Sequence, residues 1–182
     1  MRLARLFTRK DRHARAAADL YLAVVGQARA PAFYARLAVP DTLDGRFELI
    51  ALHAFLVLHR LADAPGRTRE LGQALFDLLF ADMDRNLREM GAGDLGVGKR
   101  VQRMAEAFYG RIAAYREGLA GDDAALRAAV RRNLYGTVID RPAPAAAMAA
   151  YMRAATTLLA AQDLAALESG RVRFPAPPDP PD

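Results

Sequence analysis

The residues most able to do chemistry cluster at 75–99, LFDLLFADMDRNLREMGAGDLGVGK. Gly91, Gly93, Gly96 and Gly98 lead up to Lys99. Gly91-Ala-Gly93-Asp-Leu-Gly96 matches the dinucleotide fingerprint G-x-G-x-x-G, and residues 93–99 match the start of a P-loop, G-x-x-x-x-G-K. Either pattern would cradle phosphate with glycine N–H groups at a helix start. Both need a strand before the glycines, and the preceding segment here has the spacing of an amphipathic helix. Arg100 stands where a P-loop needs Ser or Thr for magnesium, and Asp94 would repel phosphate. The run therefore reads as a helix end, a tight glycine turn with close backbone approach, and a helix start capped by Asp94.

Asp77, Asp82, Asp84 and Glu89 offer carboxylates for a metal. Di-metal helical bundles need Glu-x-x-His on several helices, and neither His53 nor His59 has a Glu three positions before it. Ser169 is the only serine and there is no cysteine, which removes thiol nucleophiles, Cys-type zinc sites and disulfides. What remains is a polar constellation. Arg46, His53 and Arg60 repeat at heptad spacing along the most apolar stretch, 43–61. Asp82 and Asn86 fall inside the apolar arc of the stretch 69–90, defined by Leu71, Leu75, Leu78, Leu79, Met83, Leu87 and Met90. Buried polar groups need partners, so Arg46, His53 or Arg60 are expected opposite Asp82 and Asn86. Such a pairing would be an internal bridge that fixes helix register. The alternative is a cleft around His53, Arg46 and Asp82, serving a helical small-molecule binder or enzyme.

The elements that must position these groups are helical throughout. Apolar residues recur at 3.6-residue spacing, and no long alternating run appears. The fold class is all-α: a single compact domain of about 7–9 helices. Expected helices cover 11–29, 32–37, 43–61, 69–90, 95–119, 122–132, 144–161 and a short piece to Glu168. Asp41 or Thr42 caps the third, and 62–68 is a loop around Pro65-Gly66. Residues 43–61 are apolar on almost every side, the mark of a central helix. Residues 11–174 form the body. Phe174 docks on it, and the proline-rich tail 175–182 is extended and disordered.

The net charge of +5 is local. Arg2, Arg5, Arg9, Lys10, Arg12 and Arg15 against Asp11 carry all of it, and the rest balances at 20 basic and 20 acidic side chains. The body is thus no specific nucleic-acid binder. Residues 1–10 form a basic amphipathic arm. Its Arg2, Leu3, Arg5, Leu6, Phe7, Arg9 and Lys10 suit an anionic membrane surface. No stretch is long and apolar enough to span a bilayer.

On the segments 39–61 (VPDTLDGRFELIALHAFLVLHRL) and 73–111 (QALFDLLFADMDRNLREMGAGDLGVGKRVQRMAEAFYGR), the chain resembles the ubiquinol–cytochrome c chaperone family. Residues 20–42 and RRNLYG at 131–136 are similar to it as well. The matching residues are Asp41, Thr42, Gly45, Arg46, Phe47, His53, Asp82, Asp84, Asn86, Arg88, Glu89, Gly91, Gly93, Asp94, Val97, Gly98 and Lys99. The resemblance implies a non-enzymatic helical chaperone without cofactor, of bacterial type. It would hold newly made cytochrome b, or another subunit of the bc1 complex, at the cytoplasmic face of the inner membrane, or in the matrix if eukaryotic. A smaller partner protein and the ribosome are further implied partners. Arg46, His53, Asp82, Asp84, Asn86, Arg88, Glu89, Asp94 and Lys99 are the residues expected to recognise a partner, and Met83, Met90, Met104, Phe108 and Tyr109 would adapt to an apolar client.

Overall fold

A computed structural model describes residues 2–89, 94–138 and 142–178, with the backbone alone for 2–10, 94–96 and 100. Eight helices and no strand occur among the described residues. In chain order they are α1 (Arg2–Ala28), α2 (Pro31–Ala35), α3 (Leu43–Ala62), α4 (Pro65–Glu89), α5 (Asp94–Ala120), α6 (Asp123–Leu134), α7 (Pro142–Ala161) and α8 (Leu164–Glu168). No helix among the described residues is long and apolar enough to cross a membrane.

α3 is the central helix, for the reason its sequence implies. Ala51 to Val57 are buried without a break. One side, Leu49, Leu52, Phe55 and Leu56, packs into a cluster with residues of α2, α5, α6 and α7. The other side, Ala51, Ala54, Val57 and Leu61, packs with residues of α1, α4 and α5. A helix apolar on one stripe could serve only one of these cores. Each large side chain so buried contributes about 1.5–3 kcal/mol. α3 starts at Thr42, whose Oγ1 accepts from Gly45 N at 3.1 Å. That side-chain oxygen satisfies a helix-start donor that has no partner within the helix.

Several boundaries differ from the sequence reading: α1 starts at Arg2 rather than residue 11, and α2 spans Pro31–Ala35 rather than 32–37. α4 begins at Pro65, not Arg69. Proline suits the first turn, where its missing N–H is not needed. Thr68, expected in a loop, is fully buried, and its Oγ1 donates to the carbonyls of Leu61 and, at 2.8 Å, Ala64. α7 likewise begins at Pro142 rather than Pro144. The cap expected of α6 is present: Asp122 accepts from Ala125 N at 2.8 Å. α1 runs unbroken from Arg2 through the junction between arm and body.

Arg60, at the far end of α3, closes α7. Its Nε donates to Leu159 O at 2.9 Å and its Nη2 to Gln162 O at 3.3 Å, while Asp63 sits 3.6 Å from Nη1. Leu159 O also accepts from Gln162 N at 3.2 Å, so Arg60 adds a second donor at a helix end where backbone donors run out. Arg60→Met keeps the aliphatic stem and removes the donors. It should lower unfolding free energy by about 2 kcal/mol, as read by urea denaturation.

After α8 the chain is extended. Gln162 holds Arg173 through both backbone groups, accepting from Arg173 N and donating to its carbonyl, each at 2.8 Å. Phe174 docks edge-on against His53 at 5.3 Å, as expected. Gln27 Nε2 donates to Pro175 O at 2.9 Å. The last part of the expected tail, 179–182, lies outside the described residues.

Candidate functional site

The described residues form an open groove of about 1770 Å³. It lies where α2, the start of α3, the end of α4, α5 and the end of α6 come together. Phe47 and Ile50 from α3, Met83 and Leu87 from α4, and Met104 from α5 give it an apolar floor. Their spacings, one helical turn apart on α3 and α4, put each pair on the face turned to the groove.

Among the lining residues is an ion pair that sequence reasoning missed. Arg111 Nε donates to Glu48 Oε2 at 2.6 Å, and Arg111 Nη2 donates to Glu48 Oε1. The two side chains are only 18% and 10% exposed. The Arg111 guanidinium also lies 5.8 Å from the Phe47 ring centroid. Burial raises the Glu48 carboxyl above its ordinary range, against the pull of Arg111. For Arg111 the Glu48 hydrogen bonds prevail and favour the cation. A lone acid inside the most apolar helix was the available signal, because such a group must find a cation.

At the groove's edge, Gly45 is the residue its backbone neighbour requires. A Cβ there would stand 2.0 Å from the Pro40 carbonyl oxygen. The loop thus lies directly on α3, and Asp41 reaches Arg46 Nε at 2.7 Å. Gly45→Ala should push the loop off the helix. The expected cost is about 3 kcal/mol, at the upper end for overpacking because the obstacle is backbone, checked by thermal denaturation.

The expected site residues are distributed as follows. Arg46 is exposed on the groove rim with Asp41, not buried along a stripe. His53 is fully buried and lies outside the groove. Its Nδ1 donates to Leu49 O and its Nε2 accepts from Tyr151 OH, both at 2.8 Å, and Tyr151 OH accepts from Gln27 Nε2 at 3.0 Å. Both ring nitrogens of His53 and the Tyr151 hydroxyl are thus paired. Asp82 accepts from Tyr21 OH at 2.7 Å, from Arg85 at 2.7 Å and from Asn86 at 3.0 Å, on the seam between α1 and α4. The expected pairing of Asp82 and Asn86 with Arg46, His53 or Arg60 is therefore corrected. Residues 46 and 60 are about 21 Å apart along a helix, so the stripe cannot converge on one carboxylate. The cleft around His53, Arg46 and Asp82 is not assembled. Asn86 is exposed, because its end of α4 borders the groove rather than another helix.

Asp84 pairs with Arg88 at 2.6 Å on the outside of α4. Glu89 lines the groove, and Lys99 is exposed on α5. Asp94 is the first residue of α5, and its side chain lies outside the described residues. So do Met90, Gly91, Gly93 and the side chains of Arg2, Leu3, Arg5, Leu6, Phe7, Arg9 and Lys10. Gly96 and Gly98 lie within α5, and a Cβ on Gly98 would meet open space. Close backbone approach does not explain Gly98. Of the adaptable apolar set, Met83 and Met104 line the groove, Phe108 is fully buried core, and Tyr109 is 59% exposed against Phe76. Among the described residues no cluster of His, Asp or Glu is placed to hold a metal.

The groove gathers six of the residues that carried the family resemblance: Asp41, Gly45, Arg46, Phe47, Asn86 and Glu89. The sequence model described as ubiquinol-cytochrome C chaperone matches residues 35–174. The chain is 27% identical over 138 residues to ubiquinol-cytochrome-c reductase complex assembly factor 1 of Xenopus laevis, covering 76% of this chain and 69% of that one. It is 26% identical over 138 residues to the Mus musculus factor of the same name, again covering 76% of this chain, but it spans only 47% of the mouse protein. The crystal structure of the Cbp3 homolog from Brucella abortus superposes with a TM-score of 0.83 at 37% identity, covering 94% of this chain and 96% of that one. By the extent of the match and the shared fold, the chain belongs to the ubiquinol-cytochrome C chaperone family.

Proposed function

We propose that this protein is an assembly chaperone of the bc1 complex that holds newly made cytochrome b, or another subunit of that complex, through the groove. Residues 11–174 are the chaperone body. The basic segment 1–10 keeps the body at an anionic membrane surface, where such a client inserts. The observation that carries the reading is the groove itself: an apolar floor containing two methionines, bordered by residues that lie within the stretch 35–174 matched by the family. An unassembled membrane subunit exposes apolar surface that needs cover. Methionine suits such a surface because its unbranched thioether adapts to different partners. The role is binding rather than catalysis, since His53, Arg46 and Asp82 stand in three separate environments.

The test is a deletion strain complemented with the wild-type chain or with Met104→Asp. Loss of the b-type haem absorbance of the bc1 complex, restored by the wild type and not by Met104→Asp, is expected. Normal bc1 content in the deletion strain would refute the assembly role. Deleting residues 2–10 should weaken sedimentation with phosphatidylglycerol vesicles, and unchanged sedimentation removes the membrane arm.

A further inference from the structure

The size and charge of the groove narrow its occupant further, on the reading that it faces a client or partner. Small-molecule sites enclose roughly 300–1,000 Å³, and this groove is about 1770 Å³. A helix about 10 Å across displaces that volume over about 22 Å, roughly four turns. The apolar floor is drawn from three helices: Phe47 and Ile50 of α3, Met83 and Leu87 of α4, and Met104 of α5.

Charge is divided between the walls. From α5 and α6 the groove receives Arg103, Arg111 and Arg132 and, among the described residues, no acid. Arg111 is engaged with Glu48. Arg103 and Arg132 are exposed and make no ion pair among the described residues. All the lining acids are on the other side, with Asp41 just before α3, Asp44 and Glu48 at its start and Glu89 at the end of α4; Arg29 and Arg46 line that side too, Arg46 held by Asp41. An occupant apolar on all sides would cover Arg103 and Arg132 without a counter-charge, and desolvating unpaired charges is unfavourable.

We infer that the groove takes an amphipathic helix of about four turns from a partner polypeptide, its apolar stripe on the Phe47–Met83–Met104 floor and acidic residues along the flank facing Arg103 and Arg132. Charge complementarity of this kind sets the orientation of a helix in a groove as well as its choice.

The test uses the full chain and two labelled peptides of about 16 residues. Both carry leucine at i, i+3, i+4 and i+7 spacing, one with glutamate along the flank and one with lysine at the same positions. Fluorescence anisotropy should show the glutamate peptide binding at least about tenfold more tightly. Arg103→Glu combined with Arg132→Glu, both at exposed positions, should reverse the preference, and Met104→Asp should weaken both peptides. Equal binding of the two peptides, or a preference that survives the double substitution, overturns the inference. Displacement of the glutamate peptide by phosphatidylglycerol vesicles also overturns it, and assigns the arginines to a lipid surface. Complementation separates the two readings. If Met104→Asp fails in the deletion strain while the peptides do not discriminate, the helix inference falls and the chaperone role stands. If the peptides discriminate but the deletion strain has normal bc1 content, the groove binds a helix and the assembly role falls.

Discussion

Glu48→Gln should destabilise the protein by about 3 kcal/mol, as read by urea denaturation at neutral pH. The variant leaves the Arg111 guanidinium, 18% exposed, in the groove lining without its carboxylate. Removing one member of a buried pair typically costs 3–5 kcal/mol, because the remaining charge stays desolvated. Residual solvent access to Arg111 puts the effect at the lower end of that range. Arg111→Met should cost a similar amount through the stranded carboxylate. The double variant should recover most of the loss, since both desolvation costs disappear together. A cycle in which the two single effects simply add would show that the pair does not couple α3 to α5. The Arg111 guanidinium also lies against the Phe47 ring, so Glu48→Gln should weaken groove binding even under conditions where it stays folded.

Acidification should unfold the protein through His53. Its imidazole is fully buried between Leu49, Tyr151, Phe33 and Phe174, and burial lowers it from 6.5 to about 4. The folded form therefore resists protonation between those values while the unfolded chain accepts it. Stability is fully present above pH 6.5, falls as pH drops towards 4, and does not fall further from this group below that. The sum over the window is roughly 3 kcal/mol. Burial lowers His59 too, so it adds a contribution of the same sign. Comparison with His53→Gln isolates the larger one: glutamine does not titrate, so the fall in stability between pH 7 and pH 5 should be smaller by about 2 kcal/mol. Equal slopes for the two proteins would mean that His53 is not buried in its neutral form.

The local chemistry of the chain made much of the fold legible. Asp41 or Thr42, and Asp122, marked helix starts because such side chains can accept a backbone N–H where the chain turns into a helix; the structure chose Thr42 for α3 and gave Asp41 to Arg46. The all-round apolarity of 43–61 identified α3 as central, because only a helix covered on every side tolerates it. Phe174 was expected to dock because a large ring beyond the last helix still gains from burial. Pro65 and Pro142 were misjudged: proline stops a helix from within but opens one at its first turn, and the one-letter pattern does not separate the two cases.

The site was less legible. Arg46, His53 and Arg60 share a sequence spacing but have separate fates: on the rim, in a closed hydrogen-bond chain, and at the end of α7. Spacing along one helix says which residues share a direction, not what stands opposite them. Arg111, Arg103 and Arg132 were not singled out from the sequence, because nothing near them in the chain reveals that α5 and α6 bring them to Glu48 and the groove.

The glycine-rich run before Lys99 illustrates the same division. Arg100 and Asp94 were enough to rule out a phosphate cradle, because covalent identity alone denies magnesium a hydroxyl ligand and the anion a neutral cap. The sequence by itself thus determined that the chain is helical, which helix lies at its centre, and that the family resemblance runs through residues 39–61 and 73–111. Only the tertiary structure decided where a partner could sit. A groove is made by the distances between helices, and those follow from long-range packing of α3 against both cores, which no local pattern encodes.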